Sequence, residues 1–97
     1  MMSVLFAGEL CQVVWRRYGN HRPALLLTTE DDEPVVVASL NVPNLNLAAN
    51  ELVIKDFAEN TGVLDALIEA GVVAPPERVV LTPSGFAPLV KILVEVQ

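Results

Sequence analysis

The densest polar cluster in the sequence is Lys55-Asp56-Phe57-Ala58-Glu59-Asn60. A lysine, two carboxylates and a carboxamide this close together are raw material for acid–base work. They stand just before an apolar helical pattern. A helix N-terminus adds unsatisfied amides and positive dipole, so a ligand carboxylate or phosphate can dock there. The same residues also have a local use. Asp56 and Glu59 are anions that favour that helix end, Asn60 is a capping type, and Lys55 can pair with either carboxylate. Capping and turn formation come first among these readings, a binding surface second and catalysis third. No catalytic residue is therefore assigned, and Lys55, Asp56, Glu59 and Asn60 stand as candidate binding residues.

A second candidate set is Glu30-Asp31-Asp32-Glu33, followed by Pro34. Four adjacent like charges repel unless they are solvated at a loop tip, and such a tip can face a cation or a basic partner. The order lacks the alternation and glycine of a calcium loop. No metal is assigned to it. His21 is the only histidine and falls in a turn, without a second His for zinc or an adjacent triad. Cys11 shares an apolar strand face with Val13 and Trp15, where a thiol is a small buried hydrophobe. Ser84-Gly85 lacks the nucleophile-elbow pattern, and the chain has no glycine-rich phosphate loop. Arg16, Arg17, Tyr18, His21 and Arg22 form a small basic-aromatic patch that reads as solvated strand ends. No cofactor is implied.

Composition narrows the partners. Twelve acidic against six basic side chains give a net charge of -6, which opposes direct nucleic-acid binding and binding to an anionic membrane. An acidic surface suits a basic protein groove, and it also serves solubility. The 53% apolar content over 97 residues exceeds the usual ~45–50%. That surplus fills a core and hints at a protein partner or a homo-oligomer, although a Val/Leu-rich β-protein scores the same way. One cysteine allows no internal disulfide, which fits a cytoplasmic location. Met1–Ala7 is short and lacks a basic leading region, so no signal peptide is expected, and no apolar run approaches the ~18–20 residues of a membrane helix. The length predicts one domain over 1–97.

The elements that must position these residues follow from periodicity. Val4–Ala7 suits a short strand or a docked tail. Glu9–Tyr18 alternates as a strand, with Cys11, Val13 and Trp15 on one face. Gly19–Pro23 reverses the chain into a strand over Ala24–Thr29, making a hairpin. After the acidic tip, Val35–Leu40 is apolar on both sides at its start and reads as a central strand. Asn41–Asn50 is rich in asparagine and reads as a loop. Leu52–Lys55 is a short strand, and Asn60 or Thr61 is expected to cap a helix carrying Val63, Leu64, Leu67 and Ile68 at helical spacing. Gly71 stops that helix, and Val72-Val73 dock after it. Pro75-Pro76 bars continuation; Arg78–Thr82 is a strand, Pro83-Ser84-Gly85 a turn, and Leu89–Val96 a final strand pairing back on it. The fold class is α+β: a mostly antiparallel sheet of five or six strands with one amphipathic helix packed on one face.

Asn50-Glu51, Ile54-Lys55-Asp56-Phe57, Glu59-Asn60, Gly62-Val63-Leu64, Leu67-Ile68 and Gly71-Val72-Val73 together resemble the central motif of a family of short, uncharacterised bacterial and mobile-element proteins. The upstream Val37-Ala38-Ser39-Leu40-Asn41 strand extends the match, which covers about a quarter of the chain. That family has no established activity, so the resemblance implies a context and no residue roles: a small cytoplasmic accessory protein of phage or plasmid origin. The preferred expectation is a non-enzymatic interaction protein that binds a macromolecular partner through its acidic surface or an exposed apolar face. Inhibition of a host defence complex, as anti-CRISPR proteins do, is its specific version. The alternatives are a small ligand-binding or catalytic domain using Lys55, Asp56 and Glu59, and a structural homo-oligomer built on a sheet edge or apolar patch.

Overall fold

A computed structural model describes residues 2–96. The first sheet is a meander of four antiparallel strands in chain order: β1 (Ser3–Phe6), β2 (Glu9–Arg17), β3 (Pro23–Thr28) and β4 (Pro34–Val37). The second contains β5 (Ser39–Leu40), β6 (Glu51–Ile54), β7 (Arg78–Thr82) and β8 (Gly85–Lys91), ordered β5-β6-β8-β7 and again antiparallel. A short 3₁₀ turn, Ala58–Asn60, leads into α1 (Val63–Glu69), the one α-helix among the described residues.

The α+β class with antiparallel sheets and a packed helix is as expected, but the five or six strands expected in one sheet are, among the described residues, eight in two sheets. The difference is made at Ala38. The expected central strand Val35–Leu40 breaks there into β4, an edge of the first sheet, and β5, an edge of the second. The Ala38 N–H donates to the Leu25 carbonyl in β3 at 2.8 Å, while its carbonyl accepts from the Lys55 N–H at 2.8 Å. One buried residue therefore serves both sheets. The last strand also differs, because the two-residue turn Pro83-Ser84 lets pairing begin at Thr82↔Gly85 and the strand ends at Lys91. Val94 and Val96 pack on the core from outside the strand.

The main core lies between the sheets. Val4, Phe6, Cys11, Leu25 and Leu27 from the first sheet meet Leu52, Ile54, Val90 and Ile92 from the second, with Val63 and Leu67 of α1 between. Burying each such side chain contributes about 1.5–3 kcal/mol. The helix ends as the glycine suggested: Gly71 takes φ 76°, the Val72 N–H donates to the Leu67 carbonyl, and the Gly71 N–H donates to that of Ile68. Those two bonds satisfy carbonyls that would otherwise be orphaned. Val72 and Val73 then dock in the core.

The Asn41–Asn50 segment does more than connect. Val42, Leu45 and Leu47 pack on Val53, Val80, Ala87 and Leu89, a second core on the outer side of the second sheet. Arg22 ties the segment down by donating to the Val42 carbonyl at 2.7 Å and to the Leu45 carbonyl. Asn20 and Asn41 add a side-chain bond of 3.1 Å. No helix among the described residues is long and apolar enough to cross a membrane.

Candidate functional site

The polar junction forms where β6 ends and the chain turns into α1. Lys55 extends to Glu59, Nζ to Oε1 at 2.6 Å, and lies over the Phe57 ring at 5.5 Å from its centroid. Its hydrogen bond, reinforced by the ammonium charge, holds the Glu59 carboxyl below the usual carboxylate range. Asp56 turns the other way. Its Oδ1 accepts from the Gly62 N–H at 3.0 Å and the Leu64 N–H at 3.1 Å.

The expected cap is thereby corrected. Neither Asn60 nor Thr61 caps α1; Gly62 stands at the cap position with φ 94°, where no side chain is present to do so. Asp56 supplies the missing acceptor from outside the helix, and its charge suits the dipole. Asn60 is buried and donates Nδ2 to the Val37 carbonyl at 2.7 Å, tying the 3₁₀ turn to β4. Thr61 bonds back to the Ala58 carbonyl at 2.9 Å. Lys55 and Glu59 do border a groove of about 450 Å³ with Pro34, Val36, Ser39 and Leu40. Of the four junction residues, only these two line it.

Glu30, Asp31, Asp32 and Glu33 are exposed at the β3–β4 turn, as solvation requires. Thr29 organises that turn: its hydroxyl oxygen accepts from the Asp31 and Glu33 N–H groups, each at 3.2 Å. Among the described residues no three His, Cys, Asp or Glu side chains converge as metal ligands do. Cys11 is buried, and burial, with Glu9 as a smaller cause, pushes its thiol up. The Tyr18 hydroxyl lies 2.7 Å from the Ser39 hydroxyl, which itself accepts from the Leu25 N–H at 3.0 Å. Burial raises the Tyr18 hydroxyl above its ordinary range, against a lowering contribution from Ser39. Of the basic-aromatic patch, Arg22 and Tyr18 are thus fixed in the fold.

What the sequence reading missed is the outer face of the first sheet. Register places Leu5 opposite Leu10, Val14 opposite Leu26 and Leu26 opposite Val37. All lie on the side away from Cys11, Val13, Leu25 and Leu27. Leu5 is 67% exposed, Leu10 53%, and Val37 is exposed beside half-buried Val14 and Leu26. A solvent-facing side of an antiparallel sheet is ordinarily polar. At the β1 edge this face runs into a groove of about 550 Å³ against α1, bordered by exposed Asp65 and Glu69. The register also sorts charge along the sheet. Glu9 and the Glu30–Glu33 turn are at one end; Arg16, Arg17 and Arg22 are at the other. The signal was present in Leu10-x-x-x-Val14, which shares one strand face. No family model matches the chain, and no curated protein and no solved structure is significantly similar to it.

Proposed function

We propose that this is a non-enzymatic interaction protein that holds a protein partner on the outer face of the first sheet. The carrying observation is two apolar groups on the outer sheet face, Leu5 with Leu10 and Val14 with Leu26 and Val37, on either side of the polar line of Ser3, Gln12 and Thr28. Exposed apolar side chains grouped on one face mark interaction sites. Asp65, Glu69 and the acidic end of the sheet select an occupant with apolar side chains flanked by Lys or Arg, and the net charge of -6 steers it in. The alternative at Lys55, Asp56 and Glu59 has less support, because Asp56 is engaged with the helix and Glu59 with Lys55.

In the version to which the mobile-element resemblance leads, the partner is a basic, nucleic-acid-handling subunit of a host defence complex such as a CRISPR effector. Affinity capture from bacterial lysate with wild-type protein and with Leu10→Ser/Asp65→Lys/Glu69→Lys tests the reading. A specific partner should be recovered by the wild type, lost in the variant and weakened by salt. Recovery of nothing, or of the same proteins by both, counts against it. With purified effector complexes, the specific version predicts inhibited target cleavage that the variant relieves.

A further inference from the structure

The β7–β8 hairpin carries a separate apolar surface beside a free sheet edge. Pro88 stands opposite Val79 and has no N–H, so that pair is a non-hydrogen-bonded one. By alternation the bonded pairs are Arg78↔Leu89, Val80↔Ala87 and Thr82↔Gly85. Two neighbouring bonds fix the same phase: the Ala74 N–H donates to the Lys91 carbonyl at 2.9 Å, and the Ile92 N–H to the Asn50 carbonyl at 2.7 Å. The N–H and C=O groups of Val79 and Leu81 therefore point out of the sheet. β7 pairs only with β8 and has no proline, lysine or bulge to blunt its edge, Arg78 being its one charge.

Side chains on the same hairpin are equally unpartnered. Val79 is 60% exposed, Leu81 67% and Phe86 73%. They lie on the side of the sheet that, farther along β8, sends Val90 into the main core, followed just past the strand's end by Ile92.

We infer that the chain forms a two-fold dimer by antiparallel pairing of β7 with β7 of a second copy, centred on Val80. In that register Val79 faces the second copy's Leu81 and Leu81 faces its Val79, so each outward N–H and C=O gains a partner. The second sheets of the two copies become one continuous sheet, and the apolar faces of both hairpins join across the seam. Val79, Leu81 and Phe86 offer roughly 350 Å² of apolar surface per copy, against roughly 800 Å² per partner in a standard stable interface. The β7 backbone, Pro88 and Arg78 add to this. The dimer therefore sits at the small end and dissociates in the micromolar range.

Charge favours a second copy here and a different partner on the first sheet. Glu77, Arg78 and Lys91 nearly balance around the hairpin, with Glu77 4.0 Å from Lys91. Two copies meet at this edge without the like-charge repulsion that Asp65 and Glu69 would bring to the other face. The dimer uses none of the first-sheet face, so it stands or falls independently of the functional reading.

Sedimentation velocity from micromolar to millimolar concentration tests it. The wild type should pass from the monomer mass toward twice that mass. Leu81→Lys should hold it at the monomer mass, as should Val79→Pro, which deletes an outward N–H and no β7–β8 bond. Phe86→Lys replaces Leu81→Lys if the far-ultraviolet spectrum of the latter shows lost structure. Val80→Cys should cross-link two copies under mild oxidation, because facing non-bonded residues stand about 4.5 Å apart. A wild type at monomer mass throughout overturns the inference, as does a dimer that persists in the folded hairpin variants.

Discussion

Asp56 and Lys55 are neighbours with different duties, and the difference is measurable. Asp56 accepts from two amides at the start of a helix whose own cap residue is glycine. Removing it takes the acceptor from both donors, so Asp56→Ala should cost about 1–2 kcal/mol and lower Tm by roughly 4–16 °C. Lys55→Ala breaks an exposed pair and should change stability far less. Its effect belongs to Glu59. The Lys55 hydrogen bond depresses the Glu59 carboxyl in the folded state, so its contribution is present above the unfolded-state pKa and is lost as pH falls through the folded-state value. Side-chain NMR titration should find Glu59 ionising below the ordinary range in the wild type and returning toward it in Lys55→Ala. Equal destabilisation by the two substitutions would refute this division of labour.

At the scale of elements, the decisive piece is the Asn41–Asn50 segment, a loop that builds a core. Its hold on the second sheet runs through Arg22, whose guanidinium donates to two carbonyls of the segment. Arg22→Ala should destabilise by about 1.5–3 kcal/mol and speed amide exchange at Leu45, whose N–H bonds to the Val42 carbonyl. Arg22→Lys should not restore protection, because a point charge cannot fork between two acceptors. Unchanged exchange at Leu45 in Arg22→Ala would show that the apolar contacts alone hold the segment. The strands, the helix and its glycine stop were legible because alternation, helical spacing and φ preference are local properties. The role of Arg22 was not. A guanidinium in a basic run looks solvent-bound until the chain folds back twenty residues later, and Val42, Leu45 and Leu47 among asparagines were the hint that the loop had an apolar side.

At the scale of the whole molecule, the class was legible and the partition into two sheets was not. Val35–Leu40 reads as one strand because nothing in its residue types marks Ala38 as the place where pairing passes from Leu25 to Lys55. The outer apolar face was not legible for a related reason. Charged clusters announce themselves in sequence, whereas an apolar sheet face is known to be bare only once its layers are assembled. The partition also orders assembly in time. The first sheet uses only residues 3–37 and pairs each strand with the next, so loop closure costs little. The second sheet must bring β6 to β8 past α1 and β7, a longer search. Pulse-labelled exchange during refolding should protect Val13 and Leu27 before Leu52 and Val90; simultaneous protection would argue for one concerted step. During synthesis every residue of the first sheet is made before α1, so its core-facing Val4, Cys11, Leu25 and Leu27 have their first cover only when β6 and α1 emerge, and their last only when Val90 and Ile92 follow.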